Sequence, residues 1–186
     1  MMSATAKLSW LSVVVACIAL AACATTQPPS PLVVVAGASG RTGSYILQAL
    51  RTDGYGVRAL TQNPAGAAER LGNSWDWQQV DVRDLMQVTE ALQGADYVIC
   101  AIGARQRSGP NSFEFVDYGG VRNLVDAARQ AGVQHFVLIS SAAAGPYRKP
   151  NNMIEVGNVR YWKTQGENHL KRSGLAYTII GAGGLE

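Results

Sequence analysis

Residues 31–50 read PLVVVAGASGRTGSYILQAL, and no other stretch narrows the possible folds as much. Leu32 to Ala36 is a short, apolar, β-branched run, the composition of a strand covered on both faces. Gly37, Gly40 and Gly43 follow at G-x-x-G-x-x-G spacing, and apolar residues return at Tyr45, Ile46, Ala49 and Leu50 with helical period. Strand, glycine turn and helix in that order meet the demands of a bound pyrophosphate. Gly37 turns the chain tightly out of the strand, Gly40 opens the backbone to a phosphate, and Gly43 lets the helix pack close to the sheet. The helix N-terminus adds unpaired N–H groups and the positive end of its dipole. The stretch predicts a dinucleotide site.

From residue 32 onward strands alternate with helices. Strands are expected at 32–36, 57–61, 75–80, 96–102, 134–139 and 176–180. The helix that opens at the glycine turn ends before Gly54-Tyr55-Gly56. Further helices are expected at 65–71, from the cap Asp84 through Leu92, at 114–131 and at 160–172. Residues 108–112 read as a polar loop, and 143–158 as an irregular stretch punctuated by Gly145, Pro146, Pro150 and Gly157. Repeated βα units with short connections imply a single-domain α/β fold over residues 32–186. It is expected to be a Rossmann-type, doubly wound parallel sheet in three αβα layers.

Residues 1–31 read differently. Lys7 precedes an almost wholly apolar run, 8–22, that is shorter than the roughly 20 residues a membrane span needs. That is the anatomy of a signal segment over residues 1–22. It ends Leu20-Ala21-Ala22-Cys23, which resembles the lipobox of bacterial lipoproteins, in which the cysteine carries the lipid. The expectation is an exported lipoprotein anchored through Cys23 on the periplasmic face, with Pro-rich residues 23–31 as its tether; the alternatives are an uncleaved N-terminal anchor helix, or a misplaced start and a cytoplasmic protein. The net charge of +3 comes without a basic stripe, so nucleic acid is not an expected partner. The three cysteines and two histidines, His135 and His169, show no metal-ligand spacing, so no metal is expected.

Four blocks in order carry a family resemblance: VVVAGASGRTG, QVDVRDLMQVTEALQGADYVICAIG, VDYGGVRNLVDAARQAGVQHFVLISSAAAG and KTQGENHLKRSGLAYTIIGAGGL. Residues 32–185 resemble the atypical short-chain dehydrogenase/reductases with NmrA-like NAD(P)H-binding domains. The resemblance implies that Gly37, Ser39, Gly40, Arg41, Thr42 and Gly43 form the pyrophosphate loop. It implies that Asp81 and Val82 flank the adenine, and that Ala101, Ile102 and Gly103 run along the ribose and nicotinamide. Ser140 and Ser141 would face the nicotinamide side, and Lys163 would be the family's lysine, with Glu167 as its partner in K-x-x-x-E.

An NAD site places an acid about 20 residues past the glycines, to bond the ribose 2′-hydroxyl. The second strand instead ends Ala59-Leu60-Thr61-Gln62-Asn63, without an acid, while Arg41 lies in the phosphate loop and Arg58 within the strand. NADP(H) is therefore expected over NAD(H), although many relatives carry Arg where Gln62 stands. The resemblance makes Ser141 and Lys163 the expected catalytic residues, with the family's serine position falling at Ser141 or at Ala142 by a one-residue choice of alignment. Typical dehydrogenases of this group use Tyr-x-x-x-Lys, with the tyrosine as general acid. Here the residue four before Lys163 is Val159, Tyr161 points to another helix face, and Tyr147 lies in the loop after the fifth strand. Relatives also continue for some tens of residues past the sixth strand with Arg-Pro-Gly-Gly, where this chain has Gly181-Ala182-Gly183-Gly184. The chain is therefore expected to be C-terminally short.

Two functions follow as expectations. One is an NAD(P)H-dependent reductase of a small quinone- or carbonyl-type acceptor. The other is a non-catalytic dinucleotide-binding sensor or assembly protein. Export strains the cofactor expectation, because reduced dinucleotides are scarce outside the cytoplasm and no twin arginine precedes the apolar run.

Overall fold

The structure, a computed structural model, describes residues 30–144 and 159–183. The signal segment, Cys23, most of the tether, the loop holding Tyr147 and the last three residues lie outside these.

Six strands form one parallel sheet: β1 Leu32–Ala36, β2 Gly56–Thr61, β3 Asp76–Gln79, β4 Tyr97–Cys100, β5 His135–Ser141 and β6 Tyr177–Ala182. Their order is β3-β2-β1-β4-β5-β6. Between them run α1 Arg41–Thr52, α2 Pro64–Leu71, α3 Leu85–Ala91, a π-helical segment Glu114–Gly120 continuing into α4 Val121–Ala131, and α5 Val159–Arg172. Right-handed crossovers place the helices on both faces. The strand order reverses between β1 and β4, which opens a crevice at their C-terminal ends.

β1 sits at the centre because it is apolar on both faces. Val33 and Val35 pack with Ala59 against Leu47 of α1. Val34 and Ala36 face the other layer with Val98, Phe136 and Leu138, against Val88, Leu124, Val125 and Leu170. Local signals set the helix starts. Asn63 accepts from Gly66 N at 3.0 Å with Pro64 at the first helical position, and Asp84 accepts from Met86 N and Gln87 N.

β1 has the expected bounds. β3 and β4 are shorter than expected, while β5 is longer because Ser140 and Ser141 still pair with Gly181 and Ala182 of β6. The expected helix over 114–131 is present, but its first seven residues take the wider π turn. Among the described residues no helix is long and apolar enough to cross a membrane.

Candidate functional site

The crevice begins at the glycine turn. Gly37 has φ +79°, and a Cβ on it would stand 2.7 Å from Ala101 O. A Cβ on Gly43 would stand 2.3 Å from Gly37 O and 2.7 Å from Ala38 Cα, so α1 meets the turn at a distance only glycine allows. Gly40 N donates to Gly37 O at 2.9 Å, Gly40 is the N-cap of α1, and no acid occupies that helix's first turn. The first turn of α1 therefore offers its N–H groups and dipole end to an anion.

Beyond the turn lies a cleft of ≈ 450 Å³. Gly37, Ser39 and Gly40 form one wall; Thr61, Gln62 and Asn63 continue it past β2; Val82, Ala101, Ile102 and Gly103 face them. Its described lining holds Arg105 and no Asp or Glu. Ser39 Oγ and Thr61 Oγ1 are 2.8 Å apart and tie the glycine turn to the end of β2. Asn123, buried in α4, donates from Nδ2 to Val82 O and Arg83 O at 3.0 Å each, which pins the segment after β3.

The far side of the crevice is built from ion pairs. Asp117, in the π segment, is 1% exposed at its side chain, with Oδ1 2.7 Å from Lys163 Nζ and Oδ2 accepting from Ala104 N at 2.9 Å. Gly166 brings α5 close enough for this contact, since a Cβ there would meet Asp117 O at 3.0 Å. Gly120 similarly seats the π segment on Val82 and Ile102. Tyr118 stacks on Trp162 across the same joint, ring centres 5.8 Å apart. One turn along α5, buried Glu167 accepts from Ser140 Oγ at 2.6 Å and from Lys171 Nζ at 3.2 Å. A small void lined by Ile102, Asp117, Ser140 and Lys163 joins the two groups.

Of the expected residues, Gly37, Ser39, Gly40, Val82, Ala101, Ile102 and Gly103 line one cleft. Thr42 and Gly43 follow in the first turn of α1. Arg41 opens α1 with its side chain exposed, outside that lining. Asp81 lies just past β3, but its carboxylate is bidentate with Arg83, which holds it below the usual carboxylate range. Arg58 is committed elsewhere, donating to Ala91 O and Gln93 O at the end of α3. Ser141 stands at the end of β5 and accepts from Ala143 N at 3.3 Å. The pairing of Lys163 with Glu167 does not form. Glu167 pairs instead with Lys171, four residues on, the orientation a helix favours, and Lys163 turns to Asp117.

Asp117 and Asn123 are the residues that sequence reasoning passed over. Asp117 lies four before Val121 on the apolar stripe, so a charge facing the core was legible there. Cys100 is not a nucleophile: full burial pushes its thiol up to about 12.

Comparison with known proteins agrees with this geometry. The family model described as NAD(P)H-binding matches residues 37–186. Protein TIC 62 of Pisum sativum is 35% identical over 83% of this chain, which spans 33% of that protein. Sanguinarine reductase of Eschscholzia californica is 30% identical over 83% of this chain and 69% of its own length. The structure of ChuY, an anaerobillin reductase from Escherichia coli O157:H7, superposes with a TM-score of 0.64 at 25% identity, covering 81% of this chain and 71% of that one. With the family match running from the glycine turn through residue 186, the chain belongs to the NAD(P)H-binding family.

Proposed function

We propose that the chain is an atypical short-chain reductase that prefers NADP(H) over NAD(H) and reduces a small quinone- or carbonyl-type acceptor. One observation carries this reading. The cleft at the strand reversal runs from a glycine turn to Ile102, behind which Lys163 lines a small void, and no carboxylate stands on the cleft's described lining to repel a 2′-phosphate. Its likeness to sanguinarine reductase and to anaerobillin reductase supports a reductive role.

When bound, a reduced nicotinamide supplies the hydride. The chain does the rest. Gly37, Ser39, Gly40, Arg41, Thr42 and Gly43 hold the pyrophosphate with backbone N–H groups and charge. Asp81 and Val82 bound the adenine end, and Ala101, Ile102 and Gly103 form the wall beside the ribose and nicotinamide. Lys163, held to one position by Asp117, bonds a ribose hydroxyl. Ser141 positions the acceptor oxygen, and Ser140 braces α5 through Glu167. Val159 stands where a phenol would donate a proton, so the reduced acceptor takes its proton from solvent. A quinone tolerates this better than a simple ketone, because its reduced oxygens are weakly basic.

NADPH oxidation by the full chain, followed at 340 nm against a panel of quinones and aldehydes, tests the proposal. Turnover with quinones and little with aldehydes is expected. NADPH binding without any turnover overturns the reductase. It would establish the second reading, a non-catalytic dinucleotide-binding sensor or assembly protein, which Val159 favours.

We further propose export and membrane anchoring through a lipid on Cys23. A fatty-acid analogue is expected to label the wild type and not Cys23→Ala. Equal labelling of both rules out Cys23 as the lipid site.

A further inference from the structure

We propose that Arg70 reads the 2′-phosphate of NADP(H), a role that rests on the cofactor reading above. In a dinucleotide site of this topology the adenosine ribose lies over the C-terminal end of β2, where an acid selects NAD and a cation selects NADP. Here that end is Thr61-Gln62-Asn63, with no charge at all. The cation comes from further along the chain. Asn63 caps α2, which runs two turns and brings Arg70 of its last turn back against the glycine loop. Arg70 Nη2 donates to Ser39 O at 2.6 Å. Ser39 is itself tied to Thr61 through their hydroxyls. The guanidinium is thus fixed against Ser39 at the rim of the glycine loop, just outside the cleft's described lining.

This fixing leaves the guanidinium available. Among the described residues its one hydrogen bond uses a single N–H, and the side chain is exposed. The remaining N–H groups suit the forked geometry of a phosphate. Arg41, exposed at the start of α1, adds a second positive charge to the same loop. Arg58 is not available, because the Ala91 and Gln93 carbonyls and Asp76 hold it.

A simpler role for Arg70 is to brace the glycine loop through Ser39 O. The two roles differ in what they do to NADH. A brace supports both dinucleotides equally, whereas a phosphate reader leaves NADH almost untouched. The full chain and its Arg70→Gln and Arg70→Lys variants are titrated with NADPH, NADH and 2′,5′-ADP. Arg70→Gln is expected to weaken NADPH and 2′,5′-ADP about tenfold or more, and NADH less than about twofold. Arg70→Lys is expected to fall between, since it keeps the charge without the fork. Equal weakening of NADPH and NADH overturns the assignment in favour of a brace, and unchanged NADPH affinity overturns it outright. If the wild type binds neither dinucleotide, the cofactor reading falls as well. If the wild type binds NADPH tightly and Arg70→Gln does not discriminate, only the role of Arg70 falls.

Discussion

The two sides of the crevice are built in opposite ways. The side formed by β1, α1 and the end of β2 is made of backbone and small residues, and its steric limits are set by neighbouring main chain. The side formed by the π segment, β5 and α5 is made of buried charges that satisfy one another, Asp117 with Lys163 and Glu167 with Ser140 and Lys171. The first side leaves its donors open toward a ligand; the second has most of its polar groups already spoken for. The close packing of the glycine turn and the ion pairs opposite it therefore depend on different residues.

The contrast is broken most severely at Gly43. Its Cβ would overlap main-chain atoms that have nowhere to go, so Gly43→Ala is expected to cost at least about 3 kcal/mol. A fall in Tm of about 10 °C checks this. Gly119→Ala, whose Cβ would meet Glu114 O at an ordinary 3.5 Å, is the control and is expected to hold its Tm.

On the opposite side the cost depends on which charge is removed. Lys163→Met leaves a carboxylate that is 1% exposed without its counter-charge, held among the described residues by Ala104 N. Asp117→Asn leaves a lysine that is 20% exposed and can turn to solvent. Lys163→Met is expected to cost about 2–3 kcal/mol and Asp117→Asn about 1 kcal/mol less. Urea unfolding of both singles and the double variant measures the coupling. Equal costs would mean that the pair is wetter than its burial implies.

The same division decided what could be read in advance. β1, the glycine turn and the cap Asp84 depend on neighbours in sequence, and their residues announce them. The π segment did not announce itself, because Val121, Leu124, Val125 and Ala128 keep an ordinary helical period just after it. Asp117 and Lys163 meet across 46 positions of chain, through the close approach that Gly166 permits, and no local pattern encodes that contact. Glu167 offered a nearer partner in sequence, but helix geometry sent it to Lys171. Arg58 lies within β2, and only the fold brings the carbonyls at the end of α3 to it.

The smallest expected effect tests whether the ligand side carries any charge pair of consequence. Arg83 lowers the Asp81 carboxyl below its ordinary value through paired hydrogen bonds. A carboxyl depressed in the folded state adds stability above its unfolded pKa of about 3.9, and that stability is lost as pH falls through the folded value. Both side chains are close to a third exposed, so solvent screens the pair to about 1 kcal/mol or less. Arg83→Met is therefore expected to lower the urea midpoint slightly at pH 7. The gap from wild type should narrow once pH drops below the folded value, because protonated Asp81 no longer rewards the arginine. It should not vanish, since Arg83 Nη1 also donates to Pro110 O at 2.8 Å, a bond that does not titrate in that range. A gap that stays constant from pH 7 to pH 3 would assign the whole effect to Pro110. Asp81 would then count among the charges that do nothing for the fold.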